Sequence, residues 1–180
     1  MTSIKQNINQ ITLQIGNSIQ KCGRQPDSVQ LLAVSKTKPI DLLEQAIEAG
    51  QRAFGENYVQ EGVEKVQYFQ STHSNTELEW HFIGPIQSNK TRPIAEHFDW
   101  VHSIDRLKIA QRLNEQRLES LGKLNVLIQV NISSEESKSG TTSEEVMTLA
   151  AAINEMPNLT LRGLMSIPAN VSNYDEQLAA

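Results

Sequence analysis

The chain has 180 residues, a mass of 20.1 kDa, 38% apolar and 21% charged residues and a net charge of −5. That composition can fill a core and excludes a disordered chain, while the acidic balance argues against a nucleic-acid binder. The single cysteine, Cys22, excludes a disulfide framework, and the absence of a ~20-residue apolar run and of a signal core predicts a cytoplasmic protein with no membrane span.

Taken in chain order, residues 3 to 22 form the clearest helix. Ile4, Ile8, Ile11, Ile15, Ile19 and Cys22 recur at steps of three and four. Ser3 with Gln6 reads as a capping box and Gly23 as the stop. From residue 29 short β-prone runs alternate with helical ones. The strands are expected at Val29–Val34, Arg52–Gly55, Glu79–Ile83, Trp100–Ile104, Asn125–Ile132 and Thr160–Ile167. Helices are expected over Asp41–Ala49, Tyr58–Phe69, Lys90–His97, Arg106–Leu121, Ser143–Met156 and Asn173–Ala180.

Strand-helix alternation predicts an α/β protein with a parallel sheet, either open and doubly wound or closed as a barrel. No glycine fingerprint follows the first strand and no G-x-x-x-x-G-K occurs, which weakens the nucleotide-binding open sheet. Polar residues do follow each strand, as the loops of a (β/α)8 TIM barrel require. The strand starts are about 26 residues apart, and a barrel of eight typically takes ~250 residues. The chain is therefore expected to hold about six βα units of one barrel domain spanning residues 1–180, short of its last two.

Several residues at the expected strand ends could carry chemistry. Lys36 directly follows the apolar run Leu31–Val34. A lysine stripped of part of its water there would be neutral more readily and could attack a carbonyl, although a solvated loop lysine is the plainer reading. Asn57 ends the second strand and could face a ligand or simply cap a helix. Gly84 could admit close backbone approach, and His81, between apolar neighbours, reads first as a core histidine. Met165 could lie against a planar ligand or pack in the core. The loop 133–140 could cover a site. The four histidines show no metal-ligand spacing, and no nucleophile elbow is present.

Together the segments Leu32-Ala33-Val34-Ser35-Lys36-Thr37-Lys38-Pro39, Phe54-Gly55-Glu56-Asn57-Tyr58-Val59-Gln60-Glu61, Trp80 through Lys90, Ser137-Lys138-Ser139-Gly140 and Arg162-Gly163-Leu164-Met165 resemble the pyridoxal 5'-phosphate homeostasis proteins. The match runs from the first helix to about Tyr174. The resemblance implies a barrel like the N-terminal domain of alanine racemase. It implies pyridoxal 5'-phosphate (PLP) as cofactor, held as a Schiff base on Lys36 and faced by Asn57, in a carrier or regulator of vitamin B6 and amino-acid balance without catalytic turnover. Lys36, Asn57, His81 and Met165 form the expected cofactor-binding set. The family's phosphate-binding segments, on two further strands, have no counterpart here, so weak PLP retention and self-association of the short chain are expected, against a monomeric full-length form. The alternative is a PLP-dependent amino-acid racemase, which needs a second base. Tyr58, Tyr68 and Tyr174, the three tyrosines, show no claim to that role.

Overall fold

A computed structural model describes residues 3–132, 139–168 and 173–179. Helix α1 (Ile4–Lys21) begins as its sequence dictates. The Ser3 hydroxyl accepts from the Gln6 amide at 3.2 Å, and the Gln6 side chain accepts from the Ser3 amide at 2.8 Å. Its isoleucine stripe is only half-buried: Ile4 and Ile8 pack against the core, and no residue of α1 is fully enclosed.

The remaining elements alternate as expected: β1 (Ala33–Val34), α2 (Ile40–Glu48), β2 (Ala53–Glu56), α3 (Val59–Thr72), β3 (Glu79–Phe82), α4 (Thr91–His97), β4 (Trp100–Ile104), α5 (Leu107–Gln116), β5 (Leu124–Gln129), α6 (Val146–Asn154), β6 (Leu159–Met165) and α7 (Tyr174–Ala179). All six strands are parallel, and their spatial order is their chain order. A doubly wound sheet reverses its order at a switch point. This one never does, which is the progression of barrel staves.

Several expected elements are shorter, among them the strand expected at Asn125–Ile132, which ends at Gln129, and the helix expected at Ser143–Met156, which spans Val146–Asn154; two of the others have a visible reason. The run from Val29 joins the ladder only at Ala33, because the Gln51 side-chain amide takes the Leu31 carbonyl at 2.8 Å. The expected helix Arg106–Leu121 stops at Gln116 and resumes as a single 3-10 turn, Glu119–Leu121. Between them Arg117 turns extended, and its buried guanidinium donates to the Ala95 and Phe98 carbonyls at 2.7 Å and to Gly122 and Leu121. Those bonds tie the end of α5 to the end of α4.

The core lies between sheet and helices. Phe54 and Trp80 are 5.5 Å apart between ring centres, Phe69 of α3 lies 5.8 Å from Trp80, and Phe82 meets Phe98 edge-on at 5.4 Å. Val101, Leu124, Val126 and Ile128 continue this layer against Ile94, Ile109, Leu113 and Ile153, all fully buried. Residues alternating with these face the other side of the sheet. There His81 stacks on Trp100, and the Arg162 guanidinium sits 5.4 Å above the Trp100 ring.

Candidate functional site at the carboxyl ends of the strands

In a barrel the chemistry gathers where the strands end in βα loops. A cleft of about 750 Å³ opens instead near Glu79, Arg52 and Asp99, at the amino-terminal ends. The carboxyl end offers a smaller cavity of about 190 Å³, lined by Ile83, Pro85, Gln129, Asn131 and Ser139.

Lys36 stands at that end, two residues beyond Val34, which is in register with Gly55 of β2. Its neighbours on both sides are tied down. Ser35 is buried; its amide donates to the Gly55 carbonyl at 3.0 Å and its hydroxyl to Glu56 Oε1 at 2.6 Å. Thr37 has a left-handed backbone (φ 60°), rare for a β-branched residue, and its amide donates to Glu61 Oε1 at 2.7 Å. The buried Lys65 ammonium joins both anchors, donating to the Ser35 carbonyl (2.8 Å), Glu56 Oε1 (2.9 Å) and Glu61 Oε1 (2.6 Å). The Lys36 side chain enters none of these bonds and is exposed. The desolvation expected for it is therefore absent, because β1 is a two-residue edge strand with no neighbour on its other side among the described residues.

Asn57 follows β2 and is held from below by β3. A Cβ added to Gly84 would lie 2.5 Å from the Asn57 carbonyl oxygen and 2.8 Å from its Cα, so only glycine permits this approach. Gly84 is itself fixed, since Ser103 of β4 donates its hydroxyl to the Gly84 carbonyl. Asn57 Oδ1 is buried without a hydrogen-bond partner, a costly state for an acceptor.

His81 lies within the sheet rather than at the strand end. The residue is buried, and its Nδ1 is 2.9 Å from His102 Nε2, so one hydrogen is shared across the pair. Its Nε2 is 3.2 Å from Glu79 Oε2, off the line of a good hydrogen bond. Glu79 also accepts from the Trp100 indole at 2.6 Å and from Gln30 at 3.0 Å. Burial lowers the proton affinity of both imidazoles: His81 titrates below its usual range, and His102, repelled as well by His81, is brought down to about 4. Burial pushes Glu79 up, but the Trp100 and Gln30 hydrogen bonds and His81 outweigh it, and the net direction is down.

Comparison with known proteins gives this arrangement a family. A family model for the alanine racemase N-terminal domain matches residues 4–180. The pyridoxal phosphate homeostasis protein of Vibrio alginolyticus is 67% identical over 178 residues, 99% of this chain and 76% of that protein. The chain belongs to the pyridoxal phosphate homeostasis protein family. A member of this family from Escherichia coli strain K12 is 58% identical over 177 residues, 98% of this chain and 75% of its own length. The structure of PipY from Synechococcus elongatus PCC7942, solved with PLP bound, aligns at a TM-score of 0.76 and 34% identity, covering 89% of this chain and 73% of PipY. The fold is accordingly of the alanine racemase TIM-barrel type, with six parallel staves among the described residues.

Within this homeostasis-protein fold the four residues expected at the cofactor are distributed unevenly. Lys36 and Asn57 are neighbours at the ends of adjacent strands. His81 belongs to the inward network of Glu79, Trp100 and His102. Met165 ends the opposite edge strand, half-buried beside a cavity of about 360 Å³ shared with Val130, Met147 and Leu164. Most of the loop 133–140 falls outside the described residues. Sequence reasoning missed the Glu56–Glu61–Lys65 cluster. Its one local trace was the i,i+4 spacing of Glu61 and Lys65, which any exposed helix face also shows.

Proposed function

We propose that this chain binds pyridoxal 5'-phosphate through Lys36 and serves the intracellular balance of that cofactor and of amino acids, in the cytoplasm, without catalytic turnover. When bound, the cofactor supplies an aldehyde that condenses with a neutral lysine amine to a Schiff base. The residues suit that group. Lys36 is an exposed amine with no internal bond to surrender, on a loop whose flanking residues are fixed. The observation that carries the reading is the buried, unpartnered Asn57 Oδ1 beside it, an acceptor that a ligand hydroxyl or protonated ring would satisfy. His81 and Met165, expected beside the cofactor, lie within the sheet and on the opposite edge strand, so the reading rests on Lys36 and Asn57. The names of the relatives, and PLP in PipY, support the same reading.

The surroundings of Lys36 support the reading without turnover. Racemisation needs a positioned acid-base pair, and the groups that hold this loop, Glu56 and Glu61, are both already bonded to the Lys65 ammonium. Borohydride reduction of the PLP-loaded chain followed by peptide mapping should place the pyridoxyl label on Lys36, and the same preparation should not interconvert L- and D-alanine at rates near ~10 per second. A label mainly on Lys38 or Lys138, or turnover at that rate, overturns the reading.

A further inference from the structure

The lysine read above as the cofactor's attachment point is the one residue of its loop that the surrounding bonds leave alone, while both neighbours are held. Ser35 is anchored through its amide, carbonyl and hydroxyl. Thr37 is anchored at one point, its amide on Glu61 Oε1, and that point holds a backbone conformation its side chain disfavours. Glu61 does not act by itself. The same oxygen receives Lys65 Nζ at 2.6 Å, and Lys65 is braced from behind by Glu56, which is completely buried.

Joining α3 to β2 does not require this cluster. Val66 and Phe69 of α3 already pack in the core, and buried ion pairs add little stability over apolar side chains of the same volume. What the charges add is direction: three acceptors around one ammonium admit a single arrangement, and it ends on the residue after Lys36. We propose that Glu61, oriented by Lys65, is a positioning residue that locks the Thr37 turn and so presents the Lys36 amine to the aldehyde of pyridoxal phosphate. This rests on the reading of Lys36 as the attachment point. In the step served, the lysine nitrogen bonds to the aldehyde carbon, the carbonyl oxygen leaves as water with the two amine hydrogens, and nothing is oxidised or reduced. A flexible loop would have to order itself at the moment of capture and would lose affinity by that cost.

The test compares the parent chain with Glu61→Ala, which removes the acceptor, and Glu61→Gln, which keeps an oxygen in its place. Two quantities are read: hydrogen exchange of the Thr37 amide in the cofactor-free chain, and pyridoxal phosphate affinity by absorbance titration with borohydride mapping. In Glu61→Ala, Thr37 should exchange at least about tenfold faster and the affinity should fall about tenfold, the worth of one hydrogen bond to a charged acceptor. Glu61→Gln should recover both to within about threefold. A merely structural role would shift the melting temperature without this paired loss and rescue. Unchanged Thr37 exchange, or parental affinity in Glu61→Ala, overturns the proposal. Should Glu61→Ala fail to fold, Glu61→Asp, with a shortened reach and the charge retained, must show the same paired loss, and parental behaviour in it overturns the proposal equally. A parent chain that carries no label on Lys36 defeats the functional reading instead, an outcome distinct from a labelled parent with an equally labelled Glu61→Ala.

Discussion

His102 shows how the inward face of this sheet handles charge. An unfolded histidine takes up a proton near pH 6.5, the folded His102 only near 4. Between those values the unfolded chain holds more protons, so stability falls as the pH drops through that window. His81 acts in the same direction, and so does Glu79, whose depressed titration means a further loss on its protonation. Asp99, raised by burial, opposes them. Allowing for the partial exposure of His102, its share is about 1–2 kcal/mol. Urea unfolding at pH 7 and at pH 4.5 should register that loss, and His102→Gln should remove much of it. An identical pH dependence in the variant would reject His102 as its source.

Glycine 62 decides how closely α3 approaches β2. A Cβ there would come within 2.7 Å of Phe98 Cζ and 3.1 Å of Glu56 Cβ, and Phe98 is fully buried and cannot swing away. Alanine would gain up to about 1 kcal/mol of helix propensity, but the overpacking costs about 1–3 kcal/mol. The clash should win, and Gly62→Ala is expected to lower the urea midpoint by an amount equivalent to about 1–2 kcal/mol. Because the same shift would displace Glu56 and Lys65, PLP affinity should fall with it. A midpoint equal to or above the parent would mean that α3 can slide outward freely.

At the scale of the whole sheet, the described residues leave two edges, β1 and β6. Apolar side chains stand exposed along them: Val34 at 49%, Leu164 at 60% and Ile167 at 60%. Unpaired parallel edges flanked by such residues invite pairing with another copy. The 180-residue chain is therefore expected to self-associate with rising concentration in sedimentation velocity, and lysine at Leu164 should reduce it. A sharp monomer at all concentrations would show the edges to be covered.

The sequence alone was enough for the order and kind of elements, because helix and strand periodicities are local. Trp100–Ile104 appears with the boundaries its β-prone run predicts, and the capping box of Ser3 and Gln6 forms as read. The placement of Lys36 and Asn57 was also legible, since residues directly after a strand of this fold lie at its carboxyl end. Three features needed the tertiary structure. Gln51 shortened β1 and Arg117 ended α5 by side-chain bonds to backbone groups of other elements, for which no local pattern exists. His81 acquired a partner 21 positions away, His102, only because the strands lie in register. Glu56 and Lys65 came together beside the Lys36 loop only when α3 closed over β2, where the buried Lys65 ammonium is shared by Glu56, Glu61 and the Ser35 carbonyl.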